Sequence, residues 1–101
     1  MAIIHLTKDN FDSVIGQGKS IVDFWAGWCG PCRMLAPTIE AISEKYGDSV
    51  NVCKVDIDAE PELASRFGVM TIPTVIAFEN GAEKDKLIGV QPQMALEALL
   101  G

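Results

Sequence analysis

At 101 residues, with 49% apolar and 22% charged side chains, the chain has the length and composition of one globular domain spanning residues 1–101. That excludes a disordered chain, a collagen-like repeat and a low-complexity tail. Eight basic residues against fourteen acidic ones give a net charge of −6, so the chain lacks the basic footprint that phosphate backbones and anionic membranes require. No nucleic acid and no membrane is therefore expected as a partner, and no apolar run approaches the ~18–20 residues of a membrane span. The segment Met1-Ala2-Ile3-Ile4-His5-Leu6-Thr7-Lys8 has neither the basic start nor the long apolar stretch of a signal peptide. The expected compartment is the reducing cytoplasm, where structural disulfides are rare. Three cysteines, Cys29, Cys32 and Cys53, then need another explanation.

In chain order, Ile3-Ile4-His5-Leu6 reads as a short opening strand. Thr7 can cap a helix over roughly 8–16, with Asp9 favourable near its positive end. Phe11, Val14 and Ile15 share one buried face of that helix, and Gly16-Gln17-Gly18 stops it. Ser20-Ile21-Val22-Asp23-Phe24-Trp25 is apolar on both faces apart from Asp23, which is the pattern of a central, doubly covered strand. From Cys29 to Tyr46 the period becomes helical, with Leu35, Ile39, Ile42 and Tyr46 on one face. Pro37 inside it implies either a kink or a helix beginning there. Residues 50–57 form another strand, and Asp58 can cap a short helix over about 60–67. Thr74–Phe78 and Lys86–Ile88 are strands flanking Asn80-Gly81, a hairpin signal because both positions tolerate positive φ. Gln91-Pro92 opens a last helix of about nine residues with Leu96, Leu99 and Leu100 on one side, too short to hold without packing. The order β-α-β-α-β-α-β-β-α predicts an α/β fold, a central mixed sheet of about five strands with helices on both faces.

The cysteines at 29 and 32 stand in Gly27-Trp28-Cys29-Gly30-Pro31-Cys32, a loop entering a helix, which tends to be exposed rather than core. Two inert buried hydrophobes fit that setting poorly. Structural zinc needs four ligands, and beyond this pair the chain offers only Cys53 and His5, on different strands at no recognisable spacing. No metal site is expected. A helix N-terminus stabilises a thiolate through its unpaired amides and dipole, so Cys29 is placed where its pKa falls. Cys32, one turn later on the same face, is close enough to bond it, and Gly30 and Pro31 permit a tight first turn. A Cys-x-x-Cys beside a βαβ pattern is an established redox signature. Cys53 alternates with Lys54 and faces the other side of its strand, as a buried structural thiol. Trp25 reads as packing, and Trp28, on the loop, as a shield or substrate contact. Asp56, Asp58 and Glu60 lack the Ca²⁺-loop pattern and read as a solvated rim.

The run Val22-Asp23-Phe24-Trp25-Ala26-Gly27-Trp28-Cys29-Gly30-Pro31-Cys32 resembles the signature of the thioredoxin family. Ile72-Pro73-Thr74 resembles that family's second landmark, a cis-proline loop facing the cysteines. Pro37, Lys54, Asn80-Gly81 and Gly89 also match positions seen in the family, so the similarity covers essentially the whole chain. The resemblance implies a thioredoxin fold and a general protein-disulfide reductase with no bound cofactor. In it Cys29 attacks as thiolate and Cys32 resolves the mixed disulfide. Asp23, a carboxyl in an apolar strand whose pKa desolvation raises, is the candidate base; a salt bridge to Lys54 is the structural alternative, and both readings are compatible. Gly30, Pro31 and Lys54 are implied to tune the pair, and Trp28, Thr71, Ile72, Pro73 and Gly89 to receive substrate. The implied partners are disulfide-containing proteins and a separate thioredoxin reductase, drawing on NADPH through a flavoprotein or on ferredoxin, with the chain itself a monomer. The Gly-Pro dipeptide favours a reductase over isomerases and periplasmic oxidases, which usually carry histidine there. An isomerase or oxidase, and a binding subunit without turnover, are the alternatives. Gly27, Arg33 and the short last helix depart from the usual pattern.

Overall fold

The computed structural model describes residues 3–101. Its elements run β1 (Ile4–His5), α1 (Phe11–Ile15), β2 (Lys19–Trp25), α2 (Gly30–Tyr46), β3 (Val50–Asp56), α3 (Pro61–Arg66), β4 (Thr74–Glu79), β5 (Ala82–Ile88) and α4 (Gln93–Ala98). The strands form one sheet in the order β1-β3-β2-β4-β5. β1, β3 and β2 are parallel, while β4 and β5 add antiparallel partners. This is the mixed sheet that the alternation of elements predicts.

β2 lies at the centre, and its alternation splits the core in two. Val22 and Phe24 join Phe11 and Ile15 of α1 and Leu63 of α3 on one face. Ile21 joins Leu35, Ile39 and Ile42 of α2 and Leu96 of α4 on the other. α2 is one helix from Gly30 onward with Pro37 inside it, so the helix does not begin at the proline. Its N-terminus is set upstream by the loop that ends at Cys29.

Three expectations about element ends are corrected. α1 begins at Phe11 rather than near residue 8, because the Thr7 hydroxyl accepts the Asp9 N–H and the Asn10 carboxamide accepts the Thr7 N–H at 2.7 Å. Those bonds wind a turn in front of the helix in place of a Thr7 cap. Asp58 does not cap α3; Asp56 accepts the Asp58 N–H at 2.9 Å, and Pro61 starts the helix, where its missing N–H costs no bond. β5 begins at Ala82, immediately after the turn, not at Lys86. It is an edge strand exposed on both faces, so Glu83-Lys84-Asp85-Lys86 gives no apolar alternation while protecting the edge. The Asn80-Gly81 turn itself forms as read, with φ of 49° and 87°. α4 has six residues and is held by packing, with Leu96 fully buried. Glu97 accepts from Lys45, Tyr46 and Gln93.

Candidate active site: the Cys29–Cys32 pair

Past Trp25, Ala26-Gly27-Trp28 carries the chain from β2 into α2. Cys29 is the helix N-cap in extended conformation, and its sulfur accepts the Cys32 N–H at 3.1 Å. The sulfur thus occupies the place of a capping oxygen, where unpaired amides and the helix dipole favour negative charge. Pro31 lies in the first turn, where its missing N–H costs nothing. Cys29 and Cys32 are paired as a disulfide, their Cα atoms 5.3 Å apart. The expected exposure of this loop holds for Gly27, Trp28 and Pro31 but not for the cysteines, each only 4% exposed. Ala26, Trp25, Ile57 and Ile72 pack around them.

A second loop closes over the first. The Ile72–Pro73 bond is cis, in agreement with the resemblance. Ile72 packs on the cysteines with its carbonyl oxygen 3.9 Å from Cys29 Sγ. The Thr74 hydroxyl donates to the Thr71 carbonyl, fixing the turn before β4. Pro73 is buried, and its carbonyl accepts the Gly89 N–H at 2.8 Å. Gly89 has φ 88°, a conformation that strains any residue with a Cβ. Thr71, Ile72, Pro73 and Gly89 are therefore brought together beside Cys29.

Two contacts to the loop have no signal in the sequence. The Trp28 indole N–H donates to Asp58 Oδ2 at 2.9 Å. Asp58 stands neither as a cap nor as part of a merely solvated rim, because the Asp56 turn presents it across to the active-site loop. Arg33 Nη1 donates to the Gly27 carbonyl at 2.8 Å. Two of the three departures from the family pattern, Gly27 and Arg33, thus meet in one contact, which ties the loop to the first turn of α2.

Asp23 follows Ile21 by two residues and shares the face that α2 covers. Asp23 is 1% exposed, and neither carboxylate oxygen has a hydrogen-bond partner. Burial pushes its pKa up to about 6, against a smaller opposing pull from Lys54. The Asp23–Lys54 salt bridge, the structural alternative for Asp23, does not form. Among the described residues the ion pairs are Lys45–Glu97 and Arg66–Asp12, and Lys54 Nζ sits 5.1 Å from the centre of the Trp25 ring. An ammonium keeps hydration over an aromatic face that it would lose beside a buried carboxylate. Lys54 therefore acts on Asp23 through its field, not through contact.

Cys53 is fully buried on the opposite face, where burial alone pushes its thiol up to about 12. His5 is exposed on β1. A cleft of about 240 Å³ lined by Lys19, Phe78, Glu79 and Leu100 opens at the end of β2 away from the cysteines.

A sulfur at a helix N-cap, a partner sulfur one turn on and a cis-proline loop against both form a dithiol–disulfide exchange centre. The thioredoxin family model matches residues 2–101. The chain belongs to the thioredoxin family. A thioredoxin from Alicyclobacillus acidocaldarius is 49% identical over 100 residues, covering 98% of this chain and 95% of the relative. One from Staphylococcus saprophyticus is 45% identical over 100 residues, covering 99% and 96%. The crystal structure of Malassezia sympodialis thioredoxin, 36% identical, superposes with a TM-score of 0.89 over 97% of this chain and 88% of that one. The chain is a protein-disulfide oxidoreductase with Cys29 and Cys32 as its redox pair. Members of the family take disulfide substrates and are recharged by a thioredoxin reductase.

Proposed function

We propose that this chain is a single domain over residues 1–101 that reduces protein disulfides in general, with Cys29 as the attacking thiolate and Cys32 as the resolving thiol. The observation that carries the assignment is the placing of Cys29 Sγ at the N-cap of α2, accepting the Cys32 amide. That amide and the helix dipole stabilise charge on Cys29 and not on Cys32. Thiolate Cys29 attacks one sulfur of the substrate disulfide; the S–S bond breaks and the other substrate sulfur leaves and takes a proton. Cys32 then gives its proton to Asp23 and attacks Cys29 Sγ, displacing the second substrate sulfur. The substrate gains two electrons and the pair loses them. A carboxyl with pKa about 6 and two unpaired oxygens is ionised near neutrality and has room for that proton. Gly30 and Pro31 shape the turn between the sulfurs, and Lys54 lowers the carboxyl's pKa from a distance.

Substrate enters over Trp28, Thr71, Ile72, Pro73 and Gly89. Among the described residues the Ile72 N–H donates to no acceptor. An extended segment can pair with Ile72 as an added strand, a mode that reads backbone and suits many targets. The chain works as a cytoplasmic monomer without bound cofactor, nucleic acid or membrane, in line with its net charge of −6; no helix of the described residues is long and apolar enough to cross a membrane. The test is turbidity on insulin reduction with dithiothreitol, together with a reduction potential. A reductase accelerates precipitation and has a potential near or below about −230 mV. No acceleration would leave a binding subunit, and a potential near about −120 mV would make the chain an oxidant. Recharging assays with an NADPH flavoprotein and a ferredoxin-dependent reductase identify the electron donor.

A further inference from the structure

The sulfur atoms of this chain divide by access. Cys29 and Cys32 are joined as a disulfide, each only 4% exposed, and Cys53 is fully buried with its thiol pushed up to about 12 by that burial. Peroxides attack thiolates, and in this state the three cysteines present none. Where a peroxide meets the reduced pair, a sulfenate at Cys29 condenses with Cys32 and ends at the same disulfide. The thioethers are the opposite case. Of the four methionines, Met1 lies outside the described residues, and Met34, Met70 and Met94 are 69%, 95% and 82% exposed. A residue type that elsewhere fills gaps in cores is absent from all three buried clusters of the described residues.

Met70 is the methionine whose place gives its oxidation a consequence. It stands two residues before Ile72, which packs on the cysteine pair and brings its carbonyl oxygen 3.9 Å from Cys29 Sγ. A substrate segment paired with Ile72 therefore passes within two residues of Met70. Met34 on α2 and Met94 on α4 belong to other elements. A sulfoxide is polar where the thioether was apolar, so it holds water that an incoming segment has to strip at a cost. Since no methionine of the described residues supports the core, that cost falls on association and leaves the fold alone.

We propose that Met70 is a reversible oxidation site through which hydroperoxides weaken the hold of this chain on protein disulfides. The thioether sulfur takes the terminal peroxide oxygen: an S–O bond forms, the O–O bond breaks, and the remainder leaves with the peroxide proton as water or an alcohol. The sulfur gives up two electrons. The return consumes two thiols, which become a disulfide while the oxygen leaves as water, and a methionine sulfoxide reductase catalyses it. Re-reduction of Cys29 and Cys32 does not restore Met70, so recovery from peroxide has a second, separate step. The inference rests on the reductase reading above and adds a regulation of that same site.

The test treats the disulfide form with dilute hydrogen peroxide, maps added oxygen by peptide mass spectrometry, and re-reduces the pair with dithiothreitol. The parent and Met70→Leu are each compared with their own untreated state, for KM and kcat on an oxidised protein and on one small aromatic disulfide. In the parent, KM for the protein is expected to rise by about three- to tenfold, the cost of stripping one polar group. Its kcat, the small-disulfide rate and the melting curve are expected to stay put. Incubation with the two epimer-specific methionine sulfoxide reductases should return KM to its untreated value. Met70→Leu should show no rise, although Met34 and Met94 still take oxygen. A KM within about twofold of the untreated value once Met70 carries oxygen would overturn the proposal and leave the thioethers as a sink for peroxide. So would an equal rise in Met70→Leu, a lowered melting curve, or a Met70 that stays unoxidised. An untreated parent that reduces neither disulfide would instead overturn the reductase reading, and no peroxide enters that measurement.

Discussion

The two faces of β2 are made from alternate residues of one strand, and they do opposite things with the same degree of burial. On the α1 and α3 side, Val22 and Phe24 sit among the apolar Phe11, Phe78 and Cys53, with the Arg66 guanidinium lying over the Phe11 ring at the edge. On the α2 side, Asp23 is buried just as deeply, with both carboxylate oxygens unpartnered. One face is settled packing; the other holds an uncompensated polar group beneath the helix that carries the cysteines. The comparison extends to the thiols. Burial raises Cys53 to about 12 and makes it inert, whereas Cys29 is also almost wholly buried but caps a helix. Burial is common to both thiols, so it does not decide reactivity; the amides around the sulfur do.

The sharpest break in that contrast is at the sulfurs. Cys29→Ser should abolish disulfide reduction, while Cys32→Ser should still attack and then stall as a mixed disulfide, seen as a mass adduct with substrate. Trapping through Cys32 in a Cys29→Ser variant would reverse the assignment of roles. Cys53→Ala should keep insulin reduction and lose stability, since it empties part of the dry face.

Next in size is the dry face itself. Phe24→Ala removes a fully buried ring whose centre lies 6.2 Å from that of Phe67. It should cost about 3–5 kcal/mol in denaturant melts, and the pH dependence of resolution should stay as in the parent. The matching change on the other face has the opposite sign. Asp23 has a folded pKa of about 6 against about 3.9 unfolded, so between these values the folded state binds more protons. Stability therefore falls as pH rises through that window, and the penalty is complete above about pH 6. Asp23→Asn should raise stability at pH 8 by up to about 3 kcal/mol and lose that advantage below about pH 4. It should also slow release of the mixed disulfide more than its formation. Urea melts at the two pH values and rapid-quench kinetics check both; equal gains at both pH values would remove the carboxylate from the explanation.

Most of this division was legible in the residues. The alternation in Ser20–Trp25 and the single carboxyl within it announce a covered strand with one unusual position, and Gly30-Pro31 between two cysteines announces a helix start. What escaped the reading depends on contacts between segments far apart in the chain. The salt bridge that stands as the alternative for Asp23 is absent because Lys54 finds the Trp25 face, a choice made by hydration and not by spacing. β5 escaped because an edge strand with two wet faces has no apolar period. Asp58 was read as a cap because its position just before a helix fits one, yet Asp56 accepts the turn's amides and turns Asp58 outward. The Arg33 contact to Gly27 spans six residues, but nothing in the residue types says that a guanidinium should reach back to a loop carbonyl.

The smallest expected effect tests whether Asp58 matters to the site or only decorates it. Its carboxylate accepts the Trp28 indole N–H at 2.9 Å, and Trp28 is 68% exposed, so water competes for the same donor. Such a bond contributes no more than about 1 kcal/mol to the fold, and Asp58→Ala should move the melting curve little. Its consequence should be positional. A free indole samples rotamers that no longer cover the Cys29 loop, so kcat/KM on proteins should fall by about two- to fivefold, a loss of up to about 1 kcal/mol in binding. Trp28 fluorescence should report the changed environment. Asp58→Asn keeps an acceptor oxygen at the same place and should restore both rate and fluorescence. If Asn behaves like Ala, charge and not the hydrogen bond is what Asp58 supplies. If Ala behaves like the parent in rate and spectrum, Trp28 is held by its loop alone, and the tie between Gly27 and Arg33 becomes the contact that positions it.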